Sequence, residues 1–175
     1  MPRYPNGWED ASQGEEQLDY VLYDTELSTT NANTALALFG SDIQTDGLDE
    51  TNMEIRGQLP SSQRFLIKKI AVHMNDVAAS ADVENILDRA SFELRVNQRR
   101  YLTCPLREVM SEKTVVPAGA TQDEQYFVGQ TFELENYIML AGGTPFVVNL
   151  ETGETAPGVS TAITVCLIGE LVRRV

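Results

Sequence analysis

The sequence closes on a long β-rich stretch, Ala162 to Val175, which is interrupted at Gly169 and carries Arg173 and Arg174 at its end. A second β-rich run, Pro145 to Leu150, precedes it across a polar loop. These runs predict two closing strands, and the last is about as long as strands become. A chain that ends on such a strand uses it to complete a sheet, so we expect an antiparallel sandwich or barrel.

Short runs of apolar and β-branched residues, separated by turn residues, continue through the rest of the chain. Phe92, Leu94 and Val96 alternate with Glu93 and Arg95, which is typical of a strand with one buried face. Regularly spaced strands with turns between them indicate an all-β sandwich. Further strands are predicted at Leu18 to Leu27, Asn52 to Arg56, Arg64 to Met74, Arg99 to Cys104, Glu124 to Leu134 (one or two) and Tyr137 to Leu140.

Three local features interrupt this pattern. The inward parity changes at Lys68 and Lys69, which predicts a bulge or bend in that strand. Val77 to Ala90 carries an apolar stripe at helical spacing, so we expect one short inserted helix. The run Ala35 to Phe39 is too short to distinguish a strand from a helical turn. The predicted fold is therefore an all-β antiparallel sandwich of about eight strands with one short inserted helix.

The length of 175 residues fits a single domain. Residues 1–17 are polar, acidic and rich in turn residues, so we predict a flexible N-terminal arm followed by one β-sandwich domain over residues 18–175. Trp8, the only tryptophan, would anchor this arm on its own body or on a neighbour. No run has the length of a membrane-spanning helix, and the N-terminus lacks the apolar core of a secretory signal, so we expect synthesis in the cytoplasm.

The formal net charge is −13, and it is unevenly distributed. Residues 1–58 contain twelve acids and two basic residues, a balance of −10, whereas residues 59–175 account for the remaining −3. An acidic surface repels phosphate, so we expect no direct binding of nucleic acid. The acidic first third is either a solubilising surface or a segment that docks on a basic partner.

The residue types that usually carry catalysis or bind metals form no recognisable pattern. His73 is the only histidine, and Cys104 and Cys166 have no further ligand at metal spacing. We therefore predict reduced, buried thiols, no metal, no cofactor and no enzymatic activity. The segment Asp42 to Glu54 partly matches a calcium loop, with Gly47 at the turn position, but a solvated acidic loop fits it better.

Four arginines lie around one predicted hairpin and form the strongest basic cluster in the chain. They are either paired with nearby glutamates on a solvated face or a docking surface for an acidic neighbour. The chain's own acidic first third could supply that neighbour, in cis or from another copy. The interface residues that we predict are Trp8, Arg95, Arg99, Arg100 and Arg107.

Three segments carry a resemblance to a known family. Leu59 to Met74 resembles an early sheet strand entered after a proline, Phe92 to Val109 a strand hairpin, and Ile163 to Arg174 a final strand. In this order they are similar to the single jelly-roll capsid proteins of tailless icosahedral phages and related archaeal viruses. The likeness spans residues 59–174 and is one of pattern, not of a diagnostic motif.

The resemblance implies an eight-stranded jelly roll whose work is assembly. It implies a virion structural protein, made in the host cytoplasm, that packs with copies of itself and with other capsid proteins as a homo-oligomer. Viruses of this kind include some with an internal membrane beneath the shell. Two alternatives stay open: a phage head-decoration or cement protein, and a non-enzymatic carbohydrate-binding β-sandwich module. The isolated Trp8 and the scattered tyrosines count against the second alternative.

Deletion of residues 1–17 is expected to leave the fold intact and to weaken association, because the arm is polar and turn-rich. The melting temperature and the sedimentation coefficient of the truncated subunit test these two effects. A collapse of thermal stability would instead show that the arm belongs to the core.

Leu167→Asp is expected to abolish folding, because it places a charge in the apolar row of the closing strand. Solubility and thermal melting of the variant are the measurements. A soluble variant that melts cooperatively would contradict this position for Leu167.

Overall fold

The structure, a computed structural model, describes residues 3–28, 35–40, 42–74, 86, 88–111, 130–151, 153 and 160–174. Within these ranges, no helix is long and apolar enough to cross a membrane. Among the described residues, the helix with defined bounds is α1 (Leu106–Val109), and the strands are β1 (Glu15–Leu27), β2 (Ala35–Leu38), β3 (Gln63–Met74), β4 (Ser91–Val96), β5 (Arg99–Pro105), β6 (Phe132–Ala141), β7 (Phe146–Glu151) and β8 (Ala162–Arg174).

The strands form two four-stranded antiparallel sheets. The first sheet has the order β1-β8-β3-β6 and the second has the order β2-β7-β4-β5. Consecutive strands cross from one sheet to the other, except β4 and β5, which form a hairpin within the second sheet. This arrangement is that of a jelly roll, in which eight strands fold into two facing sheets. The predicted antiparallel sandwich of about eight strands is therefore confirmed.

Alternation along the strands determines which side chains fill the space between the sheets. In β8, Ile163, Val165, Leu167 and Leu171 point inward and are almost completely buried. The second sheet contributes Phe92, Leu94, Val96, Phe146, Val148 and Leu150 to the core.

Leu167, the residue proposed above for substitution, thus lies in the core, and its neighbour Ile168 points to the opposite face. Ile168→Asp is therefore the matched control for Leu167→Asp and should fold.

β8 is paired on both sides, with β1 along its whole length and with β3 along most of it. Opposite Gly169, β3 carries one extra residue, Lys68, and the pairing register shifts there. A Cβ added at Gly169 would lie 1.7 Å from the carbonyl oxygen of Leu66. Only glycine allows the two backbones to approach so closely. The break at Gly169 and the bulge predicted at Lys68 and Lys69 are therefore one feature.

Backbone hydrogen bonds join the connections at one end of the sandwich. The N–H of Gly57 donates to the oxygen of Phe39 at 2.7 Å, and the N–H of Phe146 donates to the oxygen of Gly57 at 2.8 Å. The N–H of Asn97, in the turn between β4 and β5, donates to the oxygen of Pro145 at 2.8 Å. We call this the hairpin end of the molecule.

Some predicted elements differ from the structure. The strand predicted at Asn52 to Arg56 is wrong, because only Thr51 makes an isolated bridge, to Asp24 of β1. Met53 is buried in the core while Ile55 is exposed, so these two residues do not share one buried face as they would in a strand. The undecided run at residue 35 is a strand, β2, and residues 132–141 form one continuous strand.

Two predictions fall mainly on residues that the structure does not describe. Most of the helix predicted at Val77 to Ala90 lies outside the described ranges, although Ile86, Asp88 and Arg89 within it are helical. The strand predicted around Tyr126 lies outside them as well. The short helix that the structure does define, α1, follows β5.

A buried carboxylate holds the connection after β2 against β1. Asp24 is 0% exposed and accepts the backbone N–H of Phe39, whose φ of 67° lies in the left-handed region. Burial raises the pKa of Asp24 to about 6, while hydrogen bonds from Phe39 and Thr51 oppose this rise and the negative charge of Glu26 adds to it. The Asp24 side chain therefore stabilises an unfavourable backbone conformation at a cost in desolvation.

Gly169→Ala is expected to lower the free energy of unfolding by about 3 kcal/mol, because the new methyl group collides with backbone in the middle of a paired sheet. Chemical denaturation measures the change. The control is Gly40→Ala, where an added Cβ would lie 3.8 Å from the nearest atom, the oxygen of Ala37, at ordinary contact distance. Equal stability of the two variants would contradict the close approach at Gly169.

Asp24→Asn is expected to alter the pH dependence of stability. The pKa of Asp24 rises from 3.8 to about 6 on folding, so its proton is bound more tightly in the folded state. The resulting contribution, roughly 3 kcal/mol, is fully present below pH 3.8 and is lost as the pH rises through about 6. Denaturation of both proteins from pH 4 to pH 7.5 measures the difference. Parallel profiles would disprove the assignment.

Candidate functional site

The hairpin of β4 and β5 forms a compact basic surface at the edge of the second sheet. Its turn residues Asn97 and Gln98 have φ values of 47° and 65°, as in a type I′ turn, although neither is glycine. Leu94 pairs with Leu102 and Arg95 with Arg100, so Tyr101 is an extra residue that forms a bulge. We call residues 93–101 the basic hairpin.

Glu93 organises the arginines of the basic hairpin. Its two carboxylate oxygens each pair with a different guanidinium group, Oε2 with Arg95 at 2.7 Å and Oε1 with Arg100. Asn149 of β7 also donates to Oε2, at 3.5 Å. Burial acts to raise the pKa of Glu93, but the hydrogen bonds from Arg95 and Asn149 and the nearby arginines outweigh it and lower the pKa. Glu93 thus remains ionised and orients both arginines.

The four predicted arginines do not form a single cluster. Arg95, Arg99 and Arg100 lie together on the basic hairpin, whereas Arg107 lies in α1 beyond the far end of β5, about 20 Å away along the strand. There it pairs with Asp88 at 3.2 Å and approaches Glu108 at 3.8 Å. Their closeness in sequence was misleading, because a strand separates them.

The predicted arm lies against its own molecule. The guanidinium group of Arg64, on β3, lies 5.9 Å from the centroid of the Trp8 ring. The same group donates to the backbone oxygen of Glu9 at 3.0 Å and pairs with Glu15 at 2.9 Å. The hydrogen bond from Arg64 is the main cause that lowers the pKa of Glu15 to about 2. The sequence left open whether Trp8 docks on its own molecule or on a neighbour, and the structure places it against its own molecule.

The arm continues across the outer face of the first sheet to its β6 edge. Arg3 forms a parallel bridge with Asn136, and Tyr4 packs edge-to-face on Tyr137 with ring centroids 5.2 Å apart. Leu66 points away from the core by alternation but is fully buried, as expected if the arm covers it. β1 already begins at residue 15, so the predicted boundary at residue 17 falls inside a strand. The deletion that removes the arm without cutting β1 therefore ends at residue 14.

A groove of about 750 Å³ runs along the side of the sandwich where the β5 and β6 edges meet. Its aromatic lining includes Tyr4 from the arm, Tyr101 from the basic hairpin and Tyr137 from β6. Asn6 and Asn136 add polar groups to the same lining. Tyrosines that are scattered in sequence are therefore gathered at one surface, and sequence reasoning missed this because three separate elements supply them.

Residues 42–56, which we call the acidic loop, lie along the free edge of β1. Asn52 accepts the backbone N–H of Tyr23 at 2.9 Å and donates to the oxygen of Val21 at 2.7 Å. Asp42 accepts the N–H of Gln44 at 3.1 Å and pairs with Arg56 at 3.4 Å. Among the described residues, no group of three or more His, Cys, Asp or Glu side chains is placed to hold a metal ion.

The remaining candidates for chemistry are dispersed. His73 points to the outer face of the first sheet, since its neighbours Val72 and Met74 point into the core. Cys104, on β5, packs at the margin of the core. Cys166, on β8, lies on the outer face of the first sheet, and both are free thiols. Burial raises the pKa of Cys104 to about 11 and also raises the pKa of Cys166. Both thiols are therefore poor nucleophiles near neutral pH.

No protein-family model and no curated protein matches this sequence.

Proposed function

We propose that the protein is a virion structural protein, a jelly-roll capsid subunit that works by assembly and not by catalysis. The observation that carries the proposal is the strand order of the two sheets, β1-β8-β3-β6 facing β2-β7-β4-β5. Viral capsid domains share this architecture with lectins and cupins. Because a fold alone does not determine function, the choice among these classes depends on the surfaces of this molecule.

The interior of this jelly roll does not favour the cupin class. Cupin enzymes hold their metal between the sheets with histidine ligands, whereas His73, the only histidine, faces outward. The space between the sheets is filled by a continuous apolar core. The proposal of a non-enzymatic protein is supported by this packing.

The exterior has features suited to assembly. An N-terminal segment crosses one sheet face, and the basic hairpin and the acidic loop expose charges of opposite sign. The copies would assemble in the virion, with other capsid proteins and, in a membrane-containing virus, above that membrane. The charge of −13 favours partners other than nucleic acid.

The test is sedimentation velocity of the purified protein over a wide range of concentration and salt, with electron microscopy of any large species. Discrete symmetric oligomers or shell-like particles are the expected result. A strict monomer under every condition, even when mixed with preformed shells of a candidate virus, would overturn the proposal.

The groove at the β5 and β6 edges favours one second candidate, a carbohydrate-binding module. Exposed Tyr4 and Tyr101, with the amide side chains beside them, combine a stacking surface with hydrogen-bonding groups. If this candidate holds, Tyr101→Ala abolishes binding detected on a glycan array, and Tyr23→Ala on the first sheet leaves it unchanged. Absence of binding to any glycan by the wild-type protein would exclude this candidate.

A further inference from the structure

We propose that copies of this protein associate side by side through two complementary surfaces, the acidic loop of one copy and the basic hairpin of the next. This inference rests on the proposed function, because it names the contact through which the subunits would assemble. Four properties of the two surfaces carry it: their charge, their exposed apolar groups, their rigidity and their positions in the sandwich.

The charges of the two surfaces are opposite. The acidic loop has five acids and one arginine, a balance of −4, whereas the basic hairpin has three arginines and Glu93, a balance of +2. The acids Asp49, Glu50 and Glu54 are exposed, as are Arg99 and Arg100. Complementary charges of this kind guide association and select the partner.

Each surface also exposes apolar groups beside its charges. In the acidic loop, Leu48 is 67% exposed, and Ile43 and Ile55 are 38% and 39% exposed. In the basic hairpin, Tyr101 is 49% exposed. Apolar and aromatic groups surrounded by charged residues are typical of the centre and rim of a protein interface. Contact between the surfaces would bury these groups and bring their charges together.

Both surfaces are held in place before any contact forms. The acidic loop is fixed by the side-chain and backbone hydrogen bonds of Asn52 to β1 and by the burial of Met53 in the core. The basic hairpin is fixed by Glu93, which pairs with Arg95 and Arg100. Preformed surfaces lose little conformational entropy on association, so modest contacts suffice.

The two surfaces lie on opposite sides of the hairpin end. The acidic loop follows β2 and borders β1, whereas the basic hairpin contains β5, and β2 and β5 are the two outer strands of the second sheet. A contact between them is heterologous, because it uses a different surface on each copy. Each pair of copies then retains one free surface of each kind, so the contact propagates into a ring or a lattice.

The experiment compares the association of charge-reversed proteins by sedimentation velocity. The loop variant carries Asp49→Lys, Glu50→Lys and Glu54→Lys, and the hairpin variant carries Arg99→Glu and Arg100→Glu. Each variant alone should associate at least about tenfold more weakly than the wild type, because it places like charges opposite each other. An equimolar mixture should regain association, since each reversed surface then meets a surface of opposite charge.

Matched controls separate this contact from a general effect of charge. Glu108→Lys in α1 and Arg89→Glu just before β4 each reverse one exposed charge at the end of β4 and β5 opposite to their turn, and both should leave association unchanged. Arg99→Glu alone leaves the pairing of Arg100 with Glu93 intact and should still weaken association, which guards against misfolding of the double variant.

The outcomes distinguish this contact from the proposed function. Loss of association in both variants, with recovery in the mixture, would support the contact. Unchanged association in both variants would overturn the contact while the wild-type oligomer still supported a capsid subunit. Loss without recovery on mixing would overturn the heterologous pairing. A wild-type protein that never associates would overturn both proposals.

Discussion

The jelly roll depends on the pairing of β8 on both of its sides. This closing strand lies between β1, at the start of the chain, and β3, near its middle, so it unites segments far apart in sequence. The pairing continues past the bulge of β3 only because Gly169 has no side chain where the Leu66 carbonyl oxygen approaches. Many non-local contacts thus depend on glycine at this one position. The entropic cost of bringing these distant segments together is offset only when β8 has formed.

The edges of the first sheet are covered by segments outside the strands. The acidic loop lies along β1, and Arg3 of the N-terminal segment bridges β6. Covered edges limit unwanted strand pairing with other molecules. In the second sheet, the bulge at Tyr101 breaks the regular pairing of β5, an outer strand. Association through side chains of the loop and the hairpin is therefore more consistent with this fold than association through exposed strand edges.

Sequence patterns predicted the elements that depend on local alternation. The β4 and β5 hairpin, the closing strand and the change of parity in β3 are all confirmed, because each is expressed in the order of apolar and polar side chains. The prediction of a strand at Asn52 to Arg56 was wrong because burial there depends on tertiary packing and not on strand alternation. Met53 is buried by packing against distant strands, and a buried loop residue can imitate the alternation of a strand.

The fold class, the acidic balance of the first third and the arginines around one hairpin can all be predicted from the order of the amino acids. Which charges meet depends on the folded arrangement: Arg64 holds the N-terminal segment in cis, Glu93 joins two arginines, and β5 separates Arg107 from them. The folded arrangement also gathered the tyrosines of three elements at one groove. This difference arises because alternation is a local property of the chain, whereas these contacts follow from the order of strands in two sheets.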